Sequence, residues 1–399
     1  MNANSVYLHI PFCRHRCAYC DFNTFAGQQA RIPDYVEALQ REIQALTAGA
    51  AERLPVHTVY FGGGTPSLLP ISAFEQILTT LARGFLLSPE AEISIEANPG
   101  TLTADYLQAL RATGVNRLSL GMQSADPGEL IFLERQHHFE DVINAVTWAR
   151  QAGFNNLSLD LIFGLPEQHL GTWEASLDRG LALAPEHFSL YALTIEHGTP
   201  LKRQADLGLI PAPDPDLAAE MYELACAKLT DADYLQYEIS NWAKENSNSP
   251  LPTSHSPFLA SQHNLQYWRN QPYFGFGAGA HGFVSGFRTR NVLAPAAYIR
   301  RMSLTAAPLE FPRTPATVNA QSIDRETEIG ETMMMGLRLT REGVSDSRFQ
   351  ARFGVTLREI YDKQIDKFVA WGLLEWADDH LRLTERGYLL GNQIFSEFI

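Results

Sequence analysis

The sequence is poor in cysteine, in long apolar runs and in positive charge. Only four of its 399 residues are cysteine, so a disulfide framework is not expected in a chain of this size. No apolar run approaches the roughly 18 residues that a membrane-spanning helix needs. The N-terminus also lacks the charged and apolar regions of a secretory signal. A net charge of −14 argues against non-specific binding to nucleic acid or anionic membrane. These absences predict a protein of the reducing cytoplasm without an integral membrane span.

Three of the four cysteines lie within eight positions of one another, directly after an apolar segment. Residues 6–10 (VYLHI) predict a short buried strand that Pro11 ends. Cys13, Cys17 and Cys20 follow on a loop with the spacing Cys-x3-Cys-x2-Cys. Three soft thiolates this close together can hold three irons of a [4Fe–4S] cluster and leave the fourth iron open to a small molecule.

A zinc site is the main alternative for the same thiols. Zinc takes four ligands in structural sites, and His9 or His15 would supply the missing one. Incidental thiols are a second alternative, but clustering by chance is improbable in a chain with so few cysteines. The softness and the spacing of the ligands favour the cluster.

Strand-like and helix-like segments alternate over the first half of the chain. The predicted strands cover residues 6–10, 57–61, 92–98, 117–123, 156–166 and 187–194. The predicted helices between them cover residues 33–46, 71–81, 103–112, 139–151 and 172–183. Six successive strand–helix units predict an α/β fold with a parallel sheet and right-handed crossovers, an open partial (β/α)6 barrel.

Glycines and polar side chains stand near the carboxyl ends of these predicted strands, where such folds carry their chemistry. Gly62, Gly63 and Gly64 follow the second strand, and glycine lets backbone amides approach a ligand, although a tight turn is the alternative. The other candidates are Glu96, Asn98, Gln123, Asp160, Tyr191 and Thr194. Asp160 stands out because a carboxylate inside an apolar strand is costly to bury without a partner.

The alternation stops near residue 211. A helix is predicted at residues 216–229 and a strand-like segment at 234–243, and residues 244–262 are rich in Ser, Pro and Asn and predict a long loop. His263 begins the motif HNLQYW. An imidazole can ligate haem iron and aromatic rings can stack on a porphyrin, but a packed histidine is the commoner reading. The same two readings apply to His281 in GAGAHG.

The last part of the chain predicts a small separate domain. Residues 305–318 have the composition of a linker, and helices at 325–339 and 357–371 precede a hairpin at 373–384 and a final helix, the order of a winged helix. From Gln321 onward, 10 Lys and Arg stand against 14 Asp and Glu, a poor match for phosphates. The predicted domains are therefore 1–210, 211–304 and 305–399, with no nucleic-acid partner.

The motifs together resemble the coproporphyrinogen-oxidase-like branch of radical S-adenosylmethionine (SAM) proteins. They occur in that family's order from residue 6 to about 290: YLHIPFC-RHR-C-AY-C, GGGTPS, EANP, SLGMQS, Arg135-x-His137, DLIFGLP, YEISN and HNLQYW. The resemblance implies a [4Fe–4S] cluster on the three cysteines and SAM chelated to its open iron. Its implied SAM contacts are Tyr7, Gly63 and Glu96 for the cluster-bound molecule, and Tyr19, Gly64, Thr65, Gln123, Arg135 and Asp160 for a second molecule as in the oxidases.

The sequence departs from the oxidases in two features, and in both it resembles the HemW subgroup, whose members are regarded as haem chaperones. Phe22 stands where the oxidases carry a further cysteine, and the first cysteine is already at residue 13, whereas the oxidases carry an N-terminal extension. In this resemblance His263 is the haem-associated histidine. One departure from the family as a whole is Glu134, which stands where its LGRxH motif has glycine.

The resemblance implies a protein that binds haem and passes it to an acceptor protein, with a flavodoxin-like or other low-potential electron donor. The alternatives are an oxygen-independent coproporphyrinogen III oxidase, which acts by radical oxidative decarboxylation, or another radical SAM enzyme. The replacement of the further cysteine by Phe22 makes oxidase activity the less favoured expectation.

Overall fold

The computed structural model describes residues 4–245, 259–304 and 309–399. By its internal contacts the chain divides into two compact units, which we call unit 1 (Met1–Lys228 and Pro272–Gln321) and unit 2 (Leu229–Gln271 and Ser322–Ile399). The three-part division expected from the sequence differs from these units and stays a prediction. Most of the predicted loop at 244–262, and residues 305–308 of the predicted linker, lie outside the described residues.

The six strands predicted for the first half of the chain are present, and the third of them begins at Leu86, ahead of its predicted start at residue 92. In chain order the strands are β1 (Asn4–Ile10), β2 (Phe12–Cys13), β3 (Phe25–Ala26), β4 (Pro55–Gly63), β5 (Leu86–Ala97), β6 (Arg117–Gln123), β7 (Leu157–Phe163), β8 (His187–Ala192), β9 (Tyr234–Glu238), β10 (Asn241–Lys244), β11 (Tyr273–Phe276), β12 (His281–Val284), β13 (Phe287–Asn291), β14 (Thr317–Ser322), β15 (Val344–Ser345), β16 (Leu374–Ala377) and β17 (His380–Leu383).

The α-helices follow the same order along the chain. They are α1 (Ile32–Ala48), α2 (Ile71–Gly84), α3 (Ala104–Ala112), α4 (Pro127–Phe132), α5 (Phe139–Gln151), α6 (Leu170–Ala182), α7 (Pro200–Asp206), α8 (Pro215–Asp231), α9 (Gln262–Trp268), α10 (Pro295–Ser303), α11 (Arg325–Gly336), α12 (Asp346–Phe353), α13 (Leu357–Ala370), α14 (Glu385–Tyr388) and α15 (Gly391–Phe395). Within the described chain, none of these helices is long and apolar enough to cross a membrane.

Six parallel strands of unit 1 are neighbours in chain order, β1-β4-β5-β6-β7-β8. A helix connects each strand to the next from β1 onward, which confirms the predicted partial (β/α)6 arrangement. The Thr103 side chain accepts a hydrogen bond from the Tyr106 amide and so caps the start of α3.

The two faces of this parallel sheet differ in polarity. Side chains alternate between the faces along each strand. One face is apolar and buried, and its members include Val6, Leu8, Val59, Phe61, Ile93, Ile95, Leu118, Leu120, Leu159, Leu161, Phe188 and Leu190. Helix α2 packs on this face, where the rings of Phe61 and Phe74 lie 5.0 Å apart.

The opposite face, which we call the polar face, carries hydroxyls and carboxylates. Its members include Ser5, Tyr7, Thr58, Tyr60, Ser94, Glu96, Ser119, Ser158, Asp160 and Ser189, which the strand registers bring together. Hydrogen bonds cross between the strands on this face, as from Thr58 Oγ1 to Ser5 Oγ at 2.6 Å. One sheet face therefore builds the core while the other is left for chemistry.

The sheet continues on the far side of β1 with strands that were not predicted as part of it. Strand β11 pairs with β1 in parallel, β12 and β13 follow as antiparallel neighbours, and β14 completes the order β14-β13-β12-β11-β1. Glycine is disfavoured in strands, so the glycine-dense stretch 274–282 gives little strand signal in the sequence. Residues 317–318, predicted as linker, begin β14.

The C-terminal part of unit 2 has the helices and strands of the predicted winged-helix order. Helices α11, α12 and α13 accompany a three-stranded sheet, β15-β17-β16. In the hairpin predicted at 373–384, Asp378 and Asp379 join β16 to β17, with Asp378 at φ 52°. The buried core includes Met333, Leu337, Phe349, Ile365, Leu381 and Phe398. Strand β15 and helix α12 were not predicted because they are short and polar.

Candidate functional site

Backbone contacts shape the loop that carries the three cysteines. Cys13 ends β2, which pairs with β3, and its carbonyl accepts a hydrogen bond from Gln29 Nε2 at 2.7 Å. The Cys20 amide donates to the Cys17 carbonyl at 3.1 Å, and the Arg16 guanidinium donates to the Cys20 carbonyl at 3.0 Å. All of the cysteines are free thiols, so the loop is held without a disulfide.

Two of the thiols have polar partners from other strands and loops. Thr65 Oγ1 donates to Cys13 Sγ at 3.4 Å, and Arg135 Nη1 lies 3.8 Å from Cys17 Sγ. Burial raises the pKa of both thiols, although these two neighbours act in the opposite direction. A metal-containing group that binds the thiolates would displace these protons.

The two histidines that would complete a zinc site have other partners. His9 Nδ1 lies 3.0 Å from the Tyr7 hydroxyl, and His9 Nε2 lies 2.9 Å from the Asn23 carbonyl. His15 Nε2 lies 2.9 Å from Glu134 Oε2. In the ranges that the structure describes, no three Cys, His, Asp or Glu side chains are grouped to hold a single ion. Both ring nitrogens of His9 and the Nε2 of His15 therefore have partners other than a metal within the described chain.

The triple glycine packs directly against β1 and the cysteine loop. Gly63 has φ 113°, and a Cβ there would lie 2.5 Å from the His9 ring. A Cβ on Gly64 would lie 2.7 Å from the Phe12 carbonyl, and the Gly64 amide donates to the Ile10 carbonyl at 2.8 Å. The glycines are thus needed for close packing, and the Gly64 amide, expected to approach a ligand, is satisfied within the chain.

Glu96 is the carboxylate of this region, and two donors from β4 hold it. The Gly63 amide donates to Glu96 Oε2 at 3.0 Å, and the Tyr60 hydroxyl donates to Glu96 Oε1 at 2.9 Å. The Tyr60 ring stacks on the Tyr7 ring with centroids 6.2 Å apart. Burial raises the pKa of Glu96 to about 7 despite these two hydrogen bonds. A carboxylate of this kind can accept hydrogen bonds from ligand hydroxyls or an ammonium group.

Serine hydroxyls donate hydrogen bonds to Asp160, and the sequence alone did not indicate these partners. Ser119 Oγ donates to both carboxylate oxygens at 2.9 and 3.0 Å, and Ser158 Oγ donates at 3.3 Å. Burial raises the pKa of Asp160, while the serine hydrogen bonds oppose the rise. The negative charge of Asp160 also raises the pKa of Glu96, after the effect of burial. The two carboxylates therefore belong to one region of the polar face.

Arg135 links the cysteine loop to the end of β6. Its Nη2 donates to the Gly121 carbonyl at 3.0 Å, and its Nη1 points to the Cys17 thiol. Gln123 lies beside it, with φ 64° at an irregularity in the β6–β7 register. Burial raises the pKa of Tyr19 to about 12, against the attraction of the Arg135 charge. Thus Tyr19, Gln123 and Arg135 are neighbours, and their contact with a second SAM stays a prediction.

Glu134 adopts a left-handed backbone conformation, with φ 53°. Glycine adopts this conformation without strain, which gives a physical reason for the glycine of the family motif at this position. Here Glu134 carries a side chain that pairs with His15 at the cysteine loop. At this position the chain therefore has a hydrogen bond to His15 in place of the conformational freedom of glycine.

Several candidate residues lie elsewhere or in unexpected environments. His263 is only 1% exposed in α9 of unit 2, and its Nε2 lies 2.9 Å from the Tyr267 hydroxyl. His137, expected at the surface, is 1% exposed, and its Nε2 lies 3.1 Å from the Met122 carbonyl. Phe22 is 63% exposed, two residues after Cys20.

The residues that sequence reasoning missed are Tyr60, Ser119, Ser158 and Asn23, the last of which is a partner of His9. The first three lie two residues apart from other polar-face residues on their strands, so a search for polar residues at alternate positions would have found them. No local signal marks the Asn23 carbonyl as the partner of His9, because the contact joins two ends of a loop.

Two family models match the chain. The model of the Radical SAM superfamily matches residues 7–179, and the model of the HemN C-terminal domain matches residues 323–390. The first range contains the cysteine loop, the triple glycine and both polar-face carboxylates. The second range lies within unit 2.

Curated relatives match over nearly the whole length. "Heme chaperone HemW" of Bacillus subtilis (strain 168) is 36% identical over 398 residues, which cover 99% of each chain. "Heme chaperone HemW" of Mycobacterium tuberculosis (strain ATCC 25618 / H37Rv) is 36% identical and covers 98% of this chain and 93% of its own. "Radical S-adenosyl methionine domain-containing protein 1, mitochondrial" of Mus musculus is 35% identical and covers 93% and 81%.

Among solved structures, coproporphyrinogen III oxidase (HemN) from Escherichia coli aligns with a TM-score of 0.81. The alignment covers 99% of this chain and 90% of the oxidase, at 22% sequence identity. At that identity the likeness establishes a shared fold and leaves the activity to the residues of the site.

Proposed function

Because this chain belongs to the HemW family of radical SAM proteins, we propose that it binds haem and passes it to an acceptor protein. The observation that carries this proposal is the 36% identity to a curated haem chaperone over 99% of both chains. The match includes the cysteine-bearing unit and the C-terminal domain alike. Phe22 agrees with this function, since it stands where the oxidases of the family are expected to have a further cysteine.

Cys13, Cys17 and Cys20 are the proposed ligands of a [4Fe–4S] cluster whose open iron binds SAM. Their side chains fit such a group because all three are free thiols on one short loop and neither nearby histidine competes as a ligand. When bound, such a cluster would supply one-electron reducing chemistry to SAM, and Cys13, Cys17 and Cys20 would hold it. The chain itself contributes Tyr7, Gly63 and Glu96 as contacts to this SAM.

The residues expected to contact a second SAM form two groups in this chain. Thr65 and Arg135 bond to the thiols of Cys13 and Cys17, which supports a role in shaping the cluster loop. Gly64, Tyr19, Gln123 and Asp160 are proposed to line the same region of the polar face. Their role in binding a second SAM stays a prediction.

The proposed partners are a haem-accepting protein and a low-potential electron donor such as a flavodoxin-like protein. A reducing cytoplasm is the proposed location because the cluster is sensitive to oxygen and all the cysteines are free thiols. His263 stays a prediction as the haem-associated histidine. Its burial and its bond to Tyr267 favour a role in holding α9 over direct contact with iron.

Titration of haem into anaerobically prepared, cluster-containing protein tests the proposed function. We expect a Soret shift that saturates at one haem per chain, with and without dithionite and SAM. Absence of a saturating shift would refute haem carriage. Conversion of coproporphyrinogen III to protoporphyrinogen IX in the presence of SAM and an electron donor would establish the oxidase alternative.

Iron and sulfide analysis of single cysteine variants tests the cluster separately. Replacement of Cys13, Cys17 or Cys20 by Ala should abolish the cluster, because three thiolates are the fewest that hold it. The matched control is Cys226→Ala, since Cys226 lies on α8 outside the loop and its loss should leave iron and sulfide unchanged. Stoichiometric zinc in the unaltered protein, in place of iron, would contradict the proposed cluster.

A further inference from the structure

The surface of unit 1 beside the cysteine loop carries an exposed aromatic side chain. Phe22 is 63% exposed and follows Cys20 by two residues, a stretch of chain that spans at most about 7 Å. The thiol-bearing residues Cys17 and Cys20 are themselves only partly buried. A molecule that contacts Phe22 therefore lies close to the group that the three thiols are proposed to hold.

Asn23 fixes this end of the loop against the hairpin of β12 and β13. Its Nδ2 donates to the carbonyls of Ala278 and Leu293, each at 3.0 Å, and these two residues stand on either side of the hairpin in the chain. Gly279 has φ 79°, and a Cβ there would collide with the Asn23 side chain, so the contact depends on glycine. The structure thus holds the exposed Phe22 next to the hairpin.

The hairpin presents Arg290 on the same side of the sheet. Arg290 of β13 is opposite His281 of β12, and paired residues on adjacent strands project from one face. The His281 imidazole lowers the pKa of His9, after the larger effect of burial, so these two rings are near each other. His9 Nε2 in turn lies 2.9 Å from the Asn23 carbonyl. Arg290 therefore lies on the side that carries Asn23 and the cysteine loop.

The two segments that form this surface are basic, whereas the whole protein is acidic. Residues 11–23 and 278–293 together contain four arginines and one aspartate, although the chain has a net charge of −14. Arg14 and Arg290 are exposed, and within the described residues neither of them pairs with a carboxylate. Positive charge gathered on one part of an acidic protein attracts an acidic partner and speeds its association.

Leu293 gives the same surface a second apolar side chain. It is 53% exposed, and its carbonyl accepts the hydrogen bond from Asn23. Exposed apolar side chains with arginines around them are typical of protein–protein interfaces, in which phenylalanine and arginine are enriched. Complexes that transfer electrons have small interfaces, below about 1,200 Å². A few side chains of this kind are therefore enough for such a complex.

We propose that Phe22, Leu293, Arg14 and Arg290 form the docking surface for an acidic protein that carries one electron at low potential. The inference rests on the proposed function, which includes such a donor, and names the surface that receives it. In the transfer one electron leaves the reduced donor and one electron enters the oxidised cluster, and no bond forms or breaks. Docking over Phe22 brings the donor to the cysteine loop while the polar face stays free for SAM.

Binding of an oxidised flavodoxin of acidic net charge to the full-length, cluster-containing protein tests this surface. Arg290→Glu should weaken binding by about tenfold at low ionic strength and by only about twofold at high ionic strength, because salt screens exposed charges. Phe22→Ala should weaken binding by about fivefold to tenfold at both ionic strengths, because the lost contact is apolar. Isothermal titration calorimetry measures the affinities.

Electron transfer gives a second readout. When reduced flavodoxin is mixed with each protein below its dissociation constant, the rate of flavin oxidation should fall in proportion to the loss of affinity. Dithionite is a small ion that needs no docking surface, so it should reduce the cluster completely in every variant. The iron content per chain should also equal that of the unaltered protein.

Matched controls separate these effects from general damage. Arg83→Glu reverses the charge of an exposed arginine on α2, the helix that packs on the apolar face of the sheet. Leu86→Ala removes a leucine that is 51% exposed at the start of β5, away from the carboxyl ends of the strands. Both should bind flavodoxin as the unaltered protein does. If Arg290→Glu fails to fold, Arg290→Gln removes the charge without reversing it, and the same loss at low ionic strength is expected with a smaller size.

Haem titration of the same proteins distinguishes this inference from the proposed function. If the unaltered protein binds haem but no flavodoxin, or if the variants bind flavodoxin with unchanged affinity, the docking surface is overturned and the function stands. A loss of haem affinity in Phe22→Ala or Arg290→Glu would assign the surface to haem, and dimerisation that Phe22→Ala abolishes would assign it to a second copy of the chain. Either result overturns the inference. If the unaltered protein binds no haem, the proposed function fails, while flavodoxin binding that depends on Phe22 and Arg290 would still support the surface.

Discussion

The backbone amide of Gly63 donates a hydrogen bond to the carboxylate of Glu96, with 3.0 Å between the nitrogen and Oε2. The two residues lie near the carboxyl ends of the adjacent parallel strands β4 and β5. Tyr60, also on β4, donates to the other carboxylate oxygen. The same glycine that packs on β1 thus fixes the carboxylate proposed to contact SAM. Two donors are nevertheless too few to offset the loss of hydration, and the pKa of Glu96 remains raised to about 7.

The raised pKa of Glu96 predicts a pH-dependent stability in the protein without SAM. The folded state keeps the proton up to about pH 7, whereas an exposed glutamate loses it near 4.5. The folded state therefore binds more protons between these values, and stability falls as the pH rises through this window. Over this pH window the free energy of unfolding of Glu96→Gln should fall by about 1–3 kcal/mol less than that of the unaltered protein. Thermal unfolding midpoints of both proteins at pH 4.5 to 8 provide the measurement.

The control for this prediction is Glu90→Gln, an exposed glutamate on the same strand. Its unfolding midpoint should follow that of the unaltered protein at every pH. Parallel pH curves for Glu96→Gln and the unaltered protein would show that the folded state does not hold the Glu96 proton.

Gly63→Ala should lower the free energy of unfolding by about 3 kcal/mol or more and weaken SAM binding. Its φ of 113° lies in a region that L side chains rarely adopt, and its Cβ would collide with the His9 ring at 2.5 Å. Chemical denaturation and SAM titration provide the two measurements. Gly171→Ala is the control because a Cβ there has no atom within 4 Å in the first turn of α6, and it should be neutral or slightly stabilising. Equal stability of the two variants would contradict the packing described for Gly63.

The parallel strands and the cysteine loop were predictable because local patterns specify them. Apolar runs such as residues 6–10 and 117–123 match β1 and β6 closely, and the cysteine spacing marks the loop by itself. Asp160 was correctly singled out as costly to bury, but its partners Ser119 and Ser158 depend on strand register. Strand register brings together residues about 40 positions apart in the chain, as the hydrogen bond from Ser119 to Asp160 shows. The periodicity within one segment carries no information on the register between two strands.

The extension of the sheet was beyond prediction for a different reason. Strands β11 and β12 are four residues each and contain glycines, so their pairing with β1 depends on close backbone approach instead of propensity. The backbone also explains why the family motif has glycine where this chain has Glu134, because this position has a positive φ. A positive φ cannot be inferred from a single sequence.

Glu134→Gly should therefore leave the protein as stable as Glu134→Gln or stabilise it by up to about 1 kcal/mol. Both variants lose the pair with His15, so their comparison isolates the backbone conformation. Glu134→Val should destabilise by about 1–2 kcal/mol, because a β-branched residue fits the left-handed region poorly. Gln136→Gly, at an exposed neighbouring site without a positive φ, should lose about 0.5–1 kcal/mol. A loss at Glu134→Gly equal to that at Gln136→Gly would contradict the assigned conformation.

Another buried carboxylate, Glu42 of α1, ties the sheet extension to the helix that follows the cysteine loop. Its Oε1 accepts hydrogen bonds from Asn291 Nδ2 at 2.7 Å and Thr314 Oγ1 at 2.9 Å. Its Oε2 accepts from the Gly277 amide at 2.8 Å and the Tyr298 hydroxyl at 2.6 Å. Burial raises the pKa of Glu42, and the four donors oppose the rise.

Glu42→Leu should consequently lower the free energy of unfolding by about 3–5 kcal/mol, because four buried donors would lose their shared acceptor. Leucine is similar in size to glutamate, so the loss of the acceptor and not a cavity causes this effect. Glu42→Gln should cost less, since the amide oxygen still accepts two of the bonds. Glu37→Leu on the same helix is the control, because Glu37 is exposed and its pair with Arg41 contributes at most about 1 kcal/mol. Denaturant titration of the three variants gives the comparison. A Glu42→Leu protein as stable as Glu37→Leu would mean that the donors find other acceptors and that Glu42 does not secure the extension.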